Sequence, residues 1–139
     1  MIEELTTFST EDLDALDGLM RELSPGSRCD EGVLRDALSS SNSHIYVIRH
    51  EGRIAATGTL CIKHTPEFVL ADIEAVVVSP EHRGRGYGKA LVNYMIDRAR
   101  ALNVHHLQLT SNPAREAANR LYQELGFERY NTNCYKFEL

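Results

Sequence analysis

The fold is decided by residues 71–91, which read ADIEAVVVSPEHRGRGYGKAL. Ile73 to Val78 is apolar apart from Glu74 and rich in β-branched side chains, which predicts a strand that is buried over most of its surface. Pro80 cannot continue a central strand and therefore marks a turn. A glycine-rich loop, residues 83–88, then leads directly into an amphipathic helix. The order predicted is strand, glycine loop, helix.

This order is suited to binding an anion. Glycines let the backbone come close to a ligand and adopt positive φ. The first N–H groups of a helix have no partner inside the helix, and the helix dipole favours negative charge at that end. Arg83, Arg85 and Lys89 add positive charge. We therefore expect a phosphate or pyrophosphate at this loop.

Three known kinds of phosphate-binding loop can be compared with this sequence. A P-loop ends in Gly-Lys-Ser/Thr, but here Ala90 follows Gly88 and Lys89, and the spacing is wrong. A dinucleotide-binding loop reads G-x-G-x-x-G, whereas this loop reads G-x-G-x-G and lies in the middle of the chain. The third pattern, Arg/Gln-x-x-Gly-x-Gly/Ala after a strand, is matched by Arg83, Gly86 and Gly88.

With that pattern the sequence resembles the GCN5-related N-acetyltransferase (GNAT) superfamily. A second motif stands where the family has it: residues 118–127, ANRLYQELGF, look like the family's A-x-x-L-Y-x-x-x-G-F helix and strand. Two independent motifs in the right order make the match specific. The resemblance covers essentially the whole chain, although the N-terminal third matches only in its pattern of elements.

The resemblance implies that acetyl-coenzyme A is the acyl donor. Its pyrophosphate would lie on the loop, and its pantetheine arm would pair with the main chain of the preceding strand. Many family members also have an asparagine seven residues before the tyrosine of the second motif, where this chain has Arg115; Asn112 and Asn119 are candidate substitutes. The cofactor-binding residues expected are Val76, Val77, Val78, Arg83, Gly84, Arg85, Gly86, Tyr87, Gly88, Lys89, Asn112 and Asn119.

Three residues are candidates for catalysis. Tyr122 matches the tyrosine that lies near the cofactor sulfur in many members, and a phenol with a pKa of about 10 can protonate a departing thiolate at neutral pH. Asp72 and Glu74 lie two residues apart on one strand and so face the same side. Burial would raise the pKa of Glu74 and suit it to act as the base that deprotonates the amine. Either acid can fill this role, and we favour Glu74.

The predicted element order is β-α-α-β-β-β-α-β-α-β-β in a single domain spanning residues 1–139. The fold class expected is α/β, a mixed sheet flanked by helices. Two closing strands are predicted at residues 127–130 and 134–139, and they offer edges through which two copies can pair as a homodimer. Gly58, inside a predicted strand, indicates a bulge or a close backbone approach.

Composition limits the possible partners. A net charge of −5 argues against nucleic-acid binding, and the three cysteines show no metal-binding spacing, so no metal is expected. No apolar run approaches the roughly 20 residues that span a bilayer, and acidic residues stand where a signal peptide carries basic ones. These features predict a cytoplasmic protein, and the resemblance implies an acetyltransferase that acts on a small-molecule amine. The alternatives are a non-catalytic acyl-CoA sensor on the same fold and a nucleotide-binding regulatory domain.

Overall fold

A five-stranded mixed sheet forms the centre of the protein in the computed structural model, which describes all 139 residues. The strands follow one another across the sheet in chain order. The first four are antiparallel, and the fifth runs parallel to the fourth. The strands are β1 Ile2–Glu4, β2 Ser43–His50, β3 Arg53–His64, β4 Val69–Val78 and β5 His106–Gln108. The helices are α1 Thr10–Leu23, α2 Glu31–Ser39, α3 Tyr87–Ala101 and α4 Glu116–Glu124. None of them combines the length and the apolar character needed to cross a membrane.

Helices cover both faces of the sheet, as the alternation along β2 requires. Tyr46 and Ile48 point to one face, where they join a cluster with α3 and Tyr122 of α4. Ile45 and Val47 point to the other face, where they join a cluster with α1 and α2. The predicted α/β fold with a mixed sheet is confirmed, and β4, α3 and β5 form a parallel β-α-β unit.

An extra residue in β4 changes which way its side chains point. Thr57 of β3 pairs with Val77, but Thr59 pairs with Glu74, so three steps along β4 oppose two along β3. Ala75 takes up the extra residue with a φ of 54°. Gly58 lies opposite this bulge, and a Cβ there would come within 2.8 Å of the terminal methyl group of Met95. The close approach predicted at Gly58 is thus confirmed, and α3 packs directly on the bulge.

The N-terminus of α1 is fixed by a capping box and an ion pair. The Ser9 hydroxyl accepts a hydrogen bond from the Asp12 N–H, and the Asp12 carboxylate accepts one from the Ser9 N–H. Arg49 of β2 donates to both oxygens of Asp12, at 2.7 and 3.2 Å, and to Glu3 of β1 at 2.6 Å. The hydrogen bond from Arg49 holds the pKa of Asp12 below its usual value. These contacts tie the first helix to the sheet.

The two closing strands predicted at Phe127–Tyr130 and Cys134–Leu139 are wrong for the single chain. No strand follows α4, and residues 128–139 are all exposed. Outside helices and strands, the segment's main-chain hydrogen bonds are only the local ones from Phe127 N–H to the Tyr122 carbonyl and from Thr132 N–H to the Tyr130 carbonyl. The sequence has the alternation of a strand, but a strand forms only where another strand supplies hydrogen-bond partners.

Candidate functional site

The site begins where β4 and β5 separate. They pair only from Leu70 to Asp72 on β4 and from His106 to Gln108 on β5. Residues 73–78 of β4 therefore have no strand neighbour on that side, and the sheet opens into a gap. Main-chain polar groups along such an edge are available to an extended ligand.

The glycine loop continues from the open part of β4. Gly84 and Gly86 have φ of 80° and 81°, backbone angles that residues other than glycine rarely adopt. Gly86 is the N-cap of α3 and supplies no side-chain cap, while the first main-chain bond of the helix is from Ala90 N–H to the Gly86 carbonyl. The N–H groups of residues 87–89 thus have no partner within the helix. They form a cradle of amide donors.

The three cations of the loop are not equivalent. The guanidinium of Arg83 lies 3.1 Å from the Glu22 carboxylate on α1 and donates to the Val78 carbonyl at 3.3 Å. Arg85 and Lys89 are exposed and have no carboxylate within ion-pair distance. Arg85 and Lys89 are therefore the ones whose charge is free to meet an anion at the cradle.

The two acids on β4 face the same side, as predicted, but differ in their contacts. Asp72 lies 2.7 Å from the Lys63 ammonium group, its side chain is only 17% exposed, and its second oxygen is buried without a hydrogen bond. Glu74 is exposed and has no ion pair. Partial desolvation raises the pKa of Glu74, the Asp72 carboxylate raises it further, and Lys63 lowers it. One acid is neutralised by a cation and the other is not.

Tyr122 lies in the core at the end of α4. It is 7% exposed and packs edge-on against Phe127, with ring centroids 6.0 Å apart. Burial raises the pKa of its phenol, and the nearby charge of Arg115 lowers it. The phenol therefore stays protonated across the physiological range.

Arg115, which in the sequence is only a departure from the family pattern, lies beside the candidate site. Its guanidinium lies 3.5 Å from the carbonyl of Val76, across the opening between β4 and α4. It also acts on the Tyr122 phenol. The sequence places Arg115 at the start of the helix that carries Tyr122, which is a sign that it lies near that tyrosine. Its contact with the Val76 carbonyl of β4 depends on tertiary structure and could not be predicted from the sequence.

Asn112 and Asn119 are used within the turn that starts α4. The Asn119 amide donates to the carbonyls of Asn112 and Arg115, at 2.9 and 2.8 Å. The Asn112 side-chain oxygen accepts from the Ala114 N–H. Their predicted contact with a cofactor stays a prediction.

The candidate site is an open groove in the sheet. A cleft of about 640 Å³ lies between α1 and the turn before α3, and a second of about 370 Å³ lies at the opposite end of the sheet, beside His44 and His105. Neither is lined by Glu74 or Tyr122. Both clefts therefore lie away from these two residues, and the gap between β4 and β5 is the candidate site.

Comparison with known proteins agrees with this geometry. The family model described as "Acetyltransferase (GNAT) family" matches residues 9–127. A putative acetyltransferase from Agrobacterium tumefaciens superposes with a TM-score of 0.84 at 27% identity, over 99% of each chain. The chain is also 29% identical, over 137 residues, to the glucosamine 6-phosphate N-acetyltransferase of Trypanosoma brucei brucei, covering 91% of this chain and 90% of that one.

Other curated relatives are much longer. The chain is 37% identical over 68 residues to the mycothiol acetyltransferase of Paenarthrobacter aurescens, which is 49% of this chain and 21% of that protein. This chain spans only about a quarter of the length of several of these curated relatives.

Proposed function

This chain belongs to the GNAT family of acetyltransferases, and on that premise we propose that it moves the acetyl group of acetyl-CoA to a primary amine of a small molecule. In this proposal residues 1–139 act as one domain, and the transfer is direct, with donor and acceptor bound together. The relatives named for glucosamine 6-phosphate and for amino acids support an acceptor of small size.

One observation carries the proposal: the open edge of β4 leads straight into the amide cradle at the start of α3. A ligand that combines an extended amide-bearing arm with a pyrophosphate matches both parts. Main-chain groups of Val76 to Val78 would pair with the arm, while the N–H groups of residues 87–89, with Arg85 and Lys89, would hold the phosphates. Acetyl-CoA has this combination.

The reaction forms a C–N bond and breaks the C–S bond of the thioester. The amine loses one proton, and the departing thiolate gains one. Glu74 would accept the amine proton, directly or through water, and Tyr122 would protonate the sulfur. A main-chain N–H of β4 would polarise the thioester carbonyl, and the positive charge of Arg115 beside Tyr122 would favour the developing thiolate.

The contacts of the two acids favour Glu74 as the base. Asp72 is already paired with Lys63, and removing a proton from an amine would require it to give up that ion pair. Glu74 has no such partner, and its raised pKa brings its proton affinity closer to what a base at neutral pH needs. Asp72 would act on the reaction only through the pKa of Glu74.

The first experiment is thermal unfolding with acetyl-CoA, CoA, ATP or NAD. A ligand at about 100 times its Kd stabilises the folded state by roughly 2.7 kcal/mol, which is a clear shift. We expect a shift with acetyl-CoA and CoA alone. A panel of amines should then release free CoA.

Three outcomes would count against the proposal. No shift with either CoA compound removes the acyl-CoA site, and a shift with ATP or NAD instead supports a nucleotide-binding domain. Tight CoA binding without CoA release for any amine supports the non-catalytic sensor.

A further inference from the structure

The face of the sheet from which an acceptor reaches Glu74 carries a small polar patch. Thr59 of β3 pairs with Glu74 on one side and with Ile45 of β2 on the other. Ile45 packs in the cluster with α1 and α2, and directly opposed residues of neighbouring strands share a face. Glu74 therefore lies on the α1–α2 face of the sheet. Cys61 and its partner Asp72 form the next row of this face, two residues along each strand.

The charges of this acceptor patch, which consists of Cys61, Lys63, Asp72 and Glu74, do not cancel. Lys63 continues the same alternation on β3, and its ammonium group lies 2.7 Å from the Asp72 carboxylate. That ion pair uses the only cation of the patch, and Glu74 forms no ion pair. The patch thus holds two carboxylates and one ammonium group, which leaves one net negative charge when Glu74 is ready to accept a proton.

The neighbours of the acceptor patch do not balance this charge. Ser43 of β2 and Gln108 of β5 flank it, and both side chains are uncharged. His106 lies two residues back along β5, where its ring packs edge-on against Phe68 with centroids 4.8 Å apart. Arg28, the cation of the loop between α1 and α2, donates to two carbonyls of its own loop at 3.2 and 2.8 Å.

The thiol of Cys61 responds to the same surplus of negative charge. Burial is the largest cause that raises its pKa, and the carboxylates of Glu74 and Asp72 raise it further. The lowering by Lys63 is smaller than either of these charge effects. A thiolate is disfavoured where the surroundings are negative, so the cation does not offset the two acids at this position.

Resting on the proposed function, we propose that the acceptor patch selects the amine by charge, so that the acetylated amine carries no phosphate or carboxylate group. Asp72 determines this preference, because it neutralises the ammonium group of Lys63 that would otherwise bind an anion of the acceptor. An anionic acceptor would meet like charge, which disfavours binding, whereas an uncharged or cationic one would not.

The first test measures the field of the patch without any substrate. Methanethiosulfonate reagents with a trimethylammonium or a sulfonate group modify thiols at rates that follow the local potential. Cys61 is partly exposed and serves as the reporter in a chain with Cys29→Ser and Cys134→Ser. The matched control keeps only Cys134, which is exposed in the C-terminal segment. We expect the ratio of the cationic to the anionic rate to be about tenfold or more higher at Cys61, and to shrink with added salt.

Two variants of the reporter chain change the patch in opposite directions. Asp72→Asn leaves Lys63 to balance Glu74, so the rate ratio at Cys61 should fall to that of the control. Lys63→Met removes the only cation, so the ratio should rise. Equal ratios at Cys61 and in the control overturn the proposal, and so does a ratio that Asp72→Asn does not lower.

The second test compares acceptors that differ in one anionic group, γ-aminobutyramide with γ-aminobutyrate and glucosamine with glucosamine 6-phosphate. We expect kcat/KM, measured by release of free CoA, to be about tenfold or more higher for the member without the anion. Asp72→Asn should bring the two values together. The ratio within one variant is independent of the pKa of Glu74, because that pKa affects both acceptors alike. An anionic member used as well as its partner overturns the proposal, and so does a panel in which the best acceptor carries an anion.

Failure of this proposal can be told from failure of the proposed function. Equal use of both members of a pair leaves the acetyltransferase in place and removes only the selection by charge. If no amine releases CoA, the proposed function fails and the selection of an acceptor falls with it, whatever the rate ratios at Cys61.

Discussion

Asp72 and Glu74 are the same kind of side chain on the same face of one strand, yet their surroundings give them different chemistry. Lys63 neutralises Asp72, whose side chain is nearly buried. Glu74 forms no ion pair, and the negative charge of Asp72 raises its pKa. The first acid therefore tunes the second, and exchanging either for its amide should have a distinct effect.

We expect Glu74→Gln to lower kcat by about 10²–10⁴-fold, the usual contribution of a general base. In the unmodified protein kcat/KM should fall as the pH drops through the raised pKa of Glu74, because the protonated acid cannot accept the amine proton. Asp72→Asn removes a like charge, so it should keep activity and move this acidic limb to lower pH. Profiles of kcat/KM against pH distinguish the two. Loss of activity in Asp72→Asn with normal activity in Glu74→Gln would reverse the assignment.

Tyr122→Phe tests the proposed acid with little change in packing. The ring that contacts Phe127 remains, so the melting temperature and the affinity for CoA should stay close to those of the unmodified protein. Without a phenol proton for the thiolate, kcat should fall by about 10²-fold or more. Tyr94→Phe is the control, because Tyr94 packs against the same core cluster and should leave kcat unchanged. An unchanged kcat in Tyr122→Phe would leave that tyrosine only a packing role.

At the scale of elements, the glycine loop and the first turn of α3 are expected to bind the phosphates, and a single substitution can test this. Gly86 has a φ of 81°, which costs roughly 1–2 kcal/mol for a residue with a Cβ. Gly86→Ala should therefore disturb the cradle and weaken CoA binding by about tenfold or more, measured by calorimetry. Gly52→Ala is a matched control, since Gly52 has the same φ of 81° in the β2–β3 turn and open space around it. It should cost similar stability and leave CoA affinity unchanged.

Equal losses of affinity in the two variants would mean that instability, and not the cradle, is responsible. The opposite result, a normal affinity in Gly86→Ala, would place the phosphates elsewhere on the protein. Either result would be informative at the level of this one element, because both variants leave the acids of β4 and the α4 tyrosine untouched.

The elements also differ in how far the sequence predicts them. Strand β4, the glycine loop and α3 are set by local rules, and the structure has them in that order. The bulge was signalled by Gly58 on the neighbouring strand, whereas the residue that takes the positive φ is Ala75, which carries no such signal. The closing strands failed as a prediction because the alternation of residues 134–139 indicates a strand but cannot say whether another strand supplies its hydrogen-bond partners. The contact of Arg115 with β4 is likewise set by tertiary packing.

For the molecule as a whole, the α1 layer and the sheet are joined by a polar contact as well as by apolar packing. Arg49 sits between Asp12 of α1 and Glu3 of β1, and its side chain is 28% exposed. The two carboxylates raise the pKa of Arg49, so its charge is permanent. The titration that matters is therefore that of Asp12, and it makes the stability of the whole protein depend on pH.

We expect Asp12→Asn to lower the free energy of unfolding by about 1–3 kcal/mol near neutral pH, because it weakens the charged hydrogen bonds from Arg49 and leaves Glu3 as the only carboxylate beside Arg49. The folded-state pKa of Asp12 is depressed, so the contribution of its charge is complete above the unfolded pKa of about 3.9 and is lost as the pH falls through the folded value. Urea unfolding of both proteins at several pH values should show their difference shrinking below about pH 4. Asp97→Asn is the control: its ion pair with Arg100 is about three-quarters exposed and should add little at any pH. A difference between Asp12→Asn and the unmodified protein that stays constant into acid would mean that Asp12 acts through its shape as a helix cap and not through its charge.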